Sequence, residues 1–151
     1  MPVKIDKKRV RSLTSEERQK LNLLTIPEGS HMSAVLKDNP DRACCWLAYQ
    51  DDIVGWSLIR WFESALKKGF DAYISVFVHP KNRQQGTGCL LIGKAMEFSD
   101  EKKMSACFFG PKPDQRLFYG SAGISPSRIL SLDFPRTYWD HSRFCKHIGN
   151  R

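Results

Sequence analysis

Between Tyr73 and Val78 the chain carries an almost unbroken run of β-branched and aromatic residues, Y-I-S-V-F-V, which reads as a largely buried strand. His79-Pro80 closes it, because proline lacks the amide hydrogen that a central ladder needs. After a polar turn, Leu91, Ala95 and Phe98 recur at helical spacing, with Ile92 and Met96 on the shoulder of the same face. An amphipathic helix is therefore expected there. Upstream, the apolar stretches 44–49 and 53–62 read as two strands, and Gln50-Asp51-Asp52 between them has the length of a hairpin turn. Downstream, residues 105–109 form another strand pattern that Gly110-Pro111-Lys112-Pro113 breaks, and 114–121 can form a short helix.

The ends of the chain are patterned more weakly. Residues 3–6 suit a short first strand. Thr14-Ser15-Glu16-Glu17 is a capping box, in which threonine and glutamate satisfy the first free amides of a helix edged by Leu21 and Leu24. Pro27-Glu28-Gly29 breaks that helix, and a second short one is expected over 30–37. Past Ser125-Pro126, the stretches 127–132 and 137–144 are candidate strands. No repeat, low-complexity segment or linker interrupts the 151 residues, which suit one domain over 1–151.

Composition narrows the setting. No window has the apolar length of a membrane span, and the basic residues 1–11 lack the apolar stretch of a secretory signal. The five cysteines are an odd number, and four of them lie in apolar or helical runs, as small buried residues of a reducing compartment do. A cytoplasmic location is the expectation. The net charge of +8 sits at the two ends: residues 1–20 and 112–151 each hold seven basic and three acidic side chains, while the middle balances. Such ends attract an acidic partner or simply keep the chain soluble.

The chemistry gathers in the turn between the 73–78 strand and its helix, Arg83-Gln84-Gln85-Gly86-Thr87-Gly88. A strand, a glycine turn and a helix start bring free amides and the positive end of a helix dipole together, which makes an anion site. The spacing R-x-x-G-x-G is neither a Walker phosphate loop nor a dinucleotide fingerprint. It resembles the pyrophosphate-binding signature of the GNAT superfamily of acyl-CoA-dependent N-acyltransferases. Phe118-Tyr119-Gly120-Ser121-Ala122-Gly123-Ile124 resembles that family's F-Y-x-x-x-G-[FI] element, in the family's order.

The resemblance covers nearly the whole chain. It implies an α/β (α+β) fold, a mixed, mostly antiparallel sheet of six to seven strands flanked by about four helices. It implies acetyl-CoA as co-substrate, with the pantetheine arm paired to the main chain at Val76, Phe77 and Val78. The amides of Gln84, Gln85, Gly86, Thr87, Gly88 and Cys89 would hold the pyrophosphate. Arg83 either adds charge there or is a solvated loop residue. The implied reaction is direct attack of an amine on the thioester, which needs a proton acceptor, a donor for the carbonyl oxygen and a donor for the departing sulfur. Tyr119 matches the family tyrosine beside the sulfur. For the base, Asp71 is the choice among weak candidates that include Glu63 and His79, with a water relay equally open. Lys112 stands where relatives often carry asparagine.

On these grounds the chain is expected to acetylate a primary amine, with a macromolecular acceptor of acidic character favoured by the charged ends. A small-amine acceptor, or a member that binds without turnover, is the alternative. Direct nucleic-acid binding through Trp46, Trp56, Trp61 and Trp139 is not favoured, since indoles in strands are more often core. His141, Cys145 and His147 lack a fourth regularly spaced ligand, so no metal is expected.

Overall fold

The computed structural model of the chain describes residues 2–25, 31–63, 70–109, 113–124 and 129–130. In order, these form β1 (Lys4–Arg9), α1 (Ser15–Thr25), α2 (His31–Asp38), β2 (Ala43–Gln50), β3 (Asp52–Trp61), β4 (Ala72–Val78), α3 (Thr87–Glu101), β5 (Ala106–Phe109), α4 (Pro113–Ser121) and β6 (Ile129–Leu130). Single 3-10 turns, Val10–Ser12 and Pro80–Asn82, follow β1 and β4. Among the described residues the strands make one sheet in sequence order. The first three pairings are antiparallel, whereas β4–β5 and β5–β6 are parallel. The expected mixed, mostly antiparallel sheet with four helices is what the chain forms.

Helices cover both faces. On one, Leu91, Ile92, Ala95 and Phe98 of α3, with Tyr119 of α4, pack on Trp46, Ile59, Ala72, Ile74, Val78 and Phe108. On the other, Leu21 of α1 and Met32, Val35 and Leu36 of α2 pack on Leu47, Trp56 and Leu58. β2 and β3 send alternate residues to the two cores, so these central strands are apolar on both sides. Of the four indoles, Trp46 and Trp56 are buried and Trp61 is half-buried; Trp139 lies outside the described residues.

Local rules account for several element ends. The capping box forms as expected: the Thr14 amide donates to Glu17 Oε1 (2.9 Å), and the Glu17 amide donates to Thr14 Oγ1 (3.1 Å). Gly55 is required by close approach, because a Cβ there would lie 2.8 Å from the Phe77 carbonyl oxygen of the neighbouring strand.

Two expectations need correction. The first strand runs to Arg9 rather than ending at Asp6, its main chain pairing with β2 from Lys4–Tyr49 to Arg9–Cys44. A Lys-Lys-Arg sequence hides a strand that, at a sheet edge, is well served by charge. Cys89 is exposed, while Cys44, Cys45 and Cys107 are buried. The segment 137–144 and most of 127–132 lie outside the described residues.

Candidate functional site

The sheet opens at its centre. Among the described residues β4 and β5 pair only from Ala72–Ala106 to Ile74–Phe108, yet β4 continues through Val78, paired on its other side with β3. The His79 amide donates to the Val54 carbonyl (2.8 Å), and antiparallel strands alternate inward- and outward-facing main-chain groups. Phe77 therefore turns its amide and carbonyl to Trp56 of β3, whereas Val76 and Val78 turn theirs into the gap. Of these, the Val78 carbonyl already accepts from Arg83 Nε (2.8 Å). Among the described residues three groups are left facing the opening: the Val76 amide and carbonyl, and the Val78 amide.

At the end of β4 the chain makes its glycine turn. Gln84 and Gly86 both have left-handed backbones, with φ of 64° and 82°. Changes of hand between successive residues point neighbouring amides the same way, into a concavity suited to an anion. The first bond of α3 runs from the Leu90 amide to the Gly86 carbonyl (3.1 Å), so the amides of Thr87, Gly88 and Cys89 precede any intrahelical acceptor. The two glycines serve different needs. A Cβ on Gly86 would meet nothing within 4 Å, so glycine is there for its conformation. A Cβ on Gly88 would lie 2.8 Å from the Phe118 ring, so glycine is there for space. Arg83 is neither a loose loop tip nor aimed only at the turn. Its guanidinium lies 5.5 Å from the centre of the Phe77 ring and ties the turn back onto β4.

Tyr119 is held where the strands part. Its ring is 5.1 Å from that of Phe108, the last β5 residue paired to β4, and 5.6 Å from Phe118. α4 ends in a Schellman cap: the Ile124 amide bonds the Tyr119 carbonyl (3.0 Å), the Gly123 amide bonds that of Gly120 (3.0 Å), and Gly123 has φ 86°. Ile124 packs in the same core as Tyr119. The spacing F-Y-x-x-x-G-I is thus the sequence of a helix stop that fixes its tyrosine. Burial pushes the Tyr119 phenol up to about 12, and among the described residues its hydroxyl has no hydrogen-bond partner.

The candidate bases are elsewhere. Asp71 stands at the start of β4, where its carboxylate accepts from the Ser105 amide (3.0 Å) and its own amide donates to the Ser105 carbonyl (2.7 Å). Five residues of strand separate it from Val76, about 17 Å. The structure uses Asp71 to seat the start of β5. Glu63 is exposed and paired with Arg42 (2.6 Å). His79 accepts the Lys81 amide on Nδ1 (3.2 Å), so its neutral ring carries the proton on Nε2 and presents a donor rather than a base.

Beside the end of β4, on the α1 face, lies a cavity of about 420 Å³ lined by Lys20, Leu23, Leu24, Asp52, Ile53, Phe77, His79 and Pro80. Its walls are mainly apolar. The one carboxylate among its described lining residues, Asp52, takes the Ile53 amide (2.8 Å) and Lys20 Nζ (3.2 Å), and these hold it below the usual carboxylate range. Nothing in the sequence pattern draws these residues together, since α1 and the hairpin meet only through packing and the Lys20–Asp52 ion pair between residues distant in sequence. The left-handed Gln84 carries no sequence signal either.

Among the described residues, no group of three or more His, Cys, Asp or Glu could hold a metal, and no helix is long and apolar enough to cross a membrane. Lys112 and the His141, Cys145, His147 set lie outside the described residues.

Comparison with known proteins follows the same geometry. The model of the acetyltransferase (GNAT) family matches residues 9–120. No curated protein sequence matches. Among solved structures, an aminoglycoside acetyltransferase from an uncultured soil metagenomic sample superposes with a TM-score of 0.65 at 21% identity, over 88% of this chain and 95% of its own. Glucosamine-6-phosphate N-acetyltransferase from Arabidopsis thaliana gives 0.65 at 15%, over 89% and 99%. A ribosomal-protein-alanine N-acetyltransferase from Brucella melitensis biovar Abortus gives 0.56 at 17%, over 89% and 96%. At these identities the likeness is one of fold.

Proposed function

The chain belongs to the acetyltransferase (GNAT) family and is an acetyl-CoA-dependent N-acetyltransferase; on that premise we propose that its acceptor is a primary amine carried by a macromolecule. The observation that carries this reading is the cavity against Phe77. Its walls are mainly apolar, and the one carboxylate among its described lining residues is already engaged by Lys20 and the Ile53 amide. A polycationic sugar or polyamine needs free carboxylates, whereas an amine set on a peptide beside an apolar side chain needs a pocket of this kind. The net positive ends of the chain work in the same direction, since they repel small polycations and draw an acidic carrier. The structural neighbours act, by their names, on aminoglycosides, on glucosamine-6-phosphate and on a ribosomal protein's alanine, so the fold alone does not choose.

When bound, acetyl-CoA supplies the thioester carbon that the amine attacks. The chain's own part is positioning and charge. Val76 and Val78 face the opening between β4 and β5 and would pair with the pantetheine amides. Phe77, with its main chain turned to β3, contributes its ring to the acceptor cavity instead. The turn from Gln84 to Cys89 would hold the pyrophosphate by its amides. An amide of β4 left facing the gap would stabilise the carbonyl oxygen as it gains charge. Tyr119 would donate to the sulfur. Held near 12, its phenol stays protonated at neutral pH, and complete transfer to a thiolate of ordinary basicity, about 8.5, is uphill. Its role is therefore a hydrogen bond to developing charge, while the amine's proton leaves through water. This dispenses with Asp71 as the base.

Two outcomes test the reading. Asp71→Ala should leave turnover within about twofold but remove one hydrogen bond, worth about 1 kcal/mol, which lowers Tm by roughly 2–4 °C in a chain of this size. A large loss of kcat at unchanged Tm would restore Asp71 as the base. For the acceptor, purified protein with labelled acetyl-CoA is offered a polyamine, an aminoglycoside, a hexosamine phosphate and peptides with a free α-amine. Peptides are expected to take the label, at rates that fall steeply as salt shortens the screening length to about 10 Å near 0.1 M. Label on the small cations alone, without salt dependence, overturns the macromolecular acceptor.

A further inference from the structure

The cations of the N-terminal strand are sorted by face. On the α1 side and just beyond, each has a carboxylate: Lys4 with Asp6, Lys8 with Glu17, Arg11 with Asp41. On the α3 side, Lys7 and Arg9 are exposed and, among the described residues, have none. Lys102, just past the end of α3, joins them. Lys7 Nζ and Lys102 Nζ lie 4.6 and 5.8 Å from the centre of the same ring, Phe98, so one aromatic side chain holds both ammonium groups near it. Arg9 stands beside Cys44 in the sheet register. Burial raises the Cys44 thiol, and Lys7, Arg9 and Lys102 all pull it back, as three charges converging on one point do.

We propose that Lys7, Arg9 and Lys102 form a binding site for the phosphate backbone of a nucleic acid. The site is distinct from the cofactor turn, because α3 carries Lys102 about 22 Å along its axis from that turn. Phosphate binding needs converging cations without carboxylates, held so that little side-chain freedom is lost, and the Phe98 ring provides that. A protein partner would need an apolar centre within a polar rim. Among the described residues the exposed large hydrophobic ones, Leu23, Leu90 and Leu117, lie instead on α1, the first turn of α3, and α4. The half-buried Trp61, 5.5 Å from Phe98, adds an aromatic edge suited to a base. Such a site would bring the enzyme to an acceptor bound to nucleic acid while leaving both substrate openings clear.

The test is fluorescence anisotropy of the full chain with a labelled oligouridylate, titrated at several salt concentrations. The combined variant Lys7→Gln, Arg9→Gln, Lys102→Gln should bind at least about tenfold more weakly, and its slope of log K against log salt should fall by about 2, since each single-strand phosphate contact contributes about 0.7. Arg9→Gln alone, which disturbs no ring packing, should lower the slope by about 0.7. The matched variant Lys4→Gln, Lys8→Gln, Arg11→Gln, which removes equal charge from paired positions, should bind nearly as the native chain does. Acetyl-CoA stabilisation retained in each variant shows that it is folded. Native-like binding by the first variant overturns the site. So does equal loss in the matched variant, which would mean general charge. Equal competition by polyglutamate of the same charge would also overturn it, in favour of an acidic protein.

Discussion

Gly86→Glu lowers acetyl-CoA affinity at least about tenfold, or about 1.4 kcal/mol, while the chain still folds. The backbone at Gly86 has φ 82°, and a side chain built there meets nothing, so the substitution costs the strain of a left-handed non-glycine residue, about 1–2 kcal/mol, and no clash. What it adds is a carboxylate where the amides of Thr87, Gly88 and Cys89 converge. A diphosphate approaching that point would meet like charge in place of open backbone. Gly86→Asn separates the two effects, because asparagine tolerates the left-handed region and brings no charge. Calorimetry should rank the native chain first, then Asn, with Glu far behind. If Gly86→Glu binds as the native protein does, the turn is a chain reversal and the anion lies elsewhere. If both variants lose binding equally, the glycine backbone matters and the charge does not.

Tyr119→Phe reduces kcat by about 10²–10³-fold, the usual cost of removing one donor from developing charge, with acetyl-CoA affinity changed by less than about twofold. The ring itself is held by Phe108, Phe118 and the Schellman cap, none of which uses the hydroxyl, so packing survives. Parallel loss of binding and turnover would make Tyr119 a structural residue, and an unchanged rate would assign the sulfur's donor to water. The same substitution has a second signature. The phenol is raised from its ordinary value near 10 to about 12, so the native state holds its proton more tightly than the unfolded chain. The stability this contributes is complete below pH 10 and is lost as the pH rises through about 12. Tyr119→Phe should therefore flatten the fall of Tm across that alkaline window.

The parts of the site that could be read from sequence are those in which a local rule fixes the backbone. Thr14 and Glu17 cap α1 across three residues, and Gly123 and Ile124 stop α4 four and five residues beyond the tyrosine they fix. Gly86 and Gly88 bracket the start of α3. The rest depends on residues distant in sequence. The Lys-Lys-Arg end of β1 is a strand only because β2 lies beside it, and Glu17 decides which of its cations is paired among the described residues. In sequence Asp71 is a carboxylate at the head of the central strand, and only the fold brings Ser105, thirty-four residues on, into a hydrogen bond with it. That Phe77 turns its main chain away from the gap follows from the register with Trp56, which a run of six β-forming residues does not disclose.

The opening between β4 and β5 also bears on how the protein survives without its co-substrate. Val76-Phe77-Val78 is uncharged and rich in strand-forming residues, and among the described residues it has no β5 partner, the features of a segment that recruits a strand from another chain. Arg83 blocks the last acceptor of that edge by bonding the Val78 carbonyl, and Pro80 just beyond cannot extend it. The Val76 groups have no such guard. A bound pantetheine arm would cover them and, by mass action, stabilise the closed sheet in proportion to its concentration. Solutions of the free protein should therefore aggregate through this edge as they are warmed or concentrated, and acetyl-CoA or free CoA should suppress that loss alike, since the acetyl group takes no part in it. In a cell, a fall in the coenzyme pool would then remove this enzyme by precipitation and turnover as well as by want of substrate.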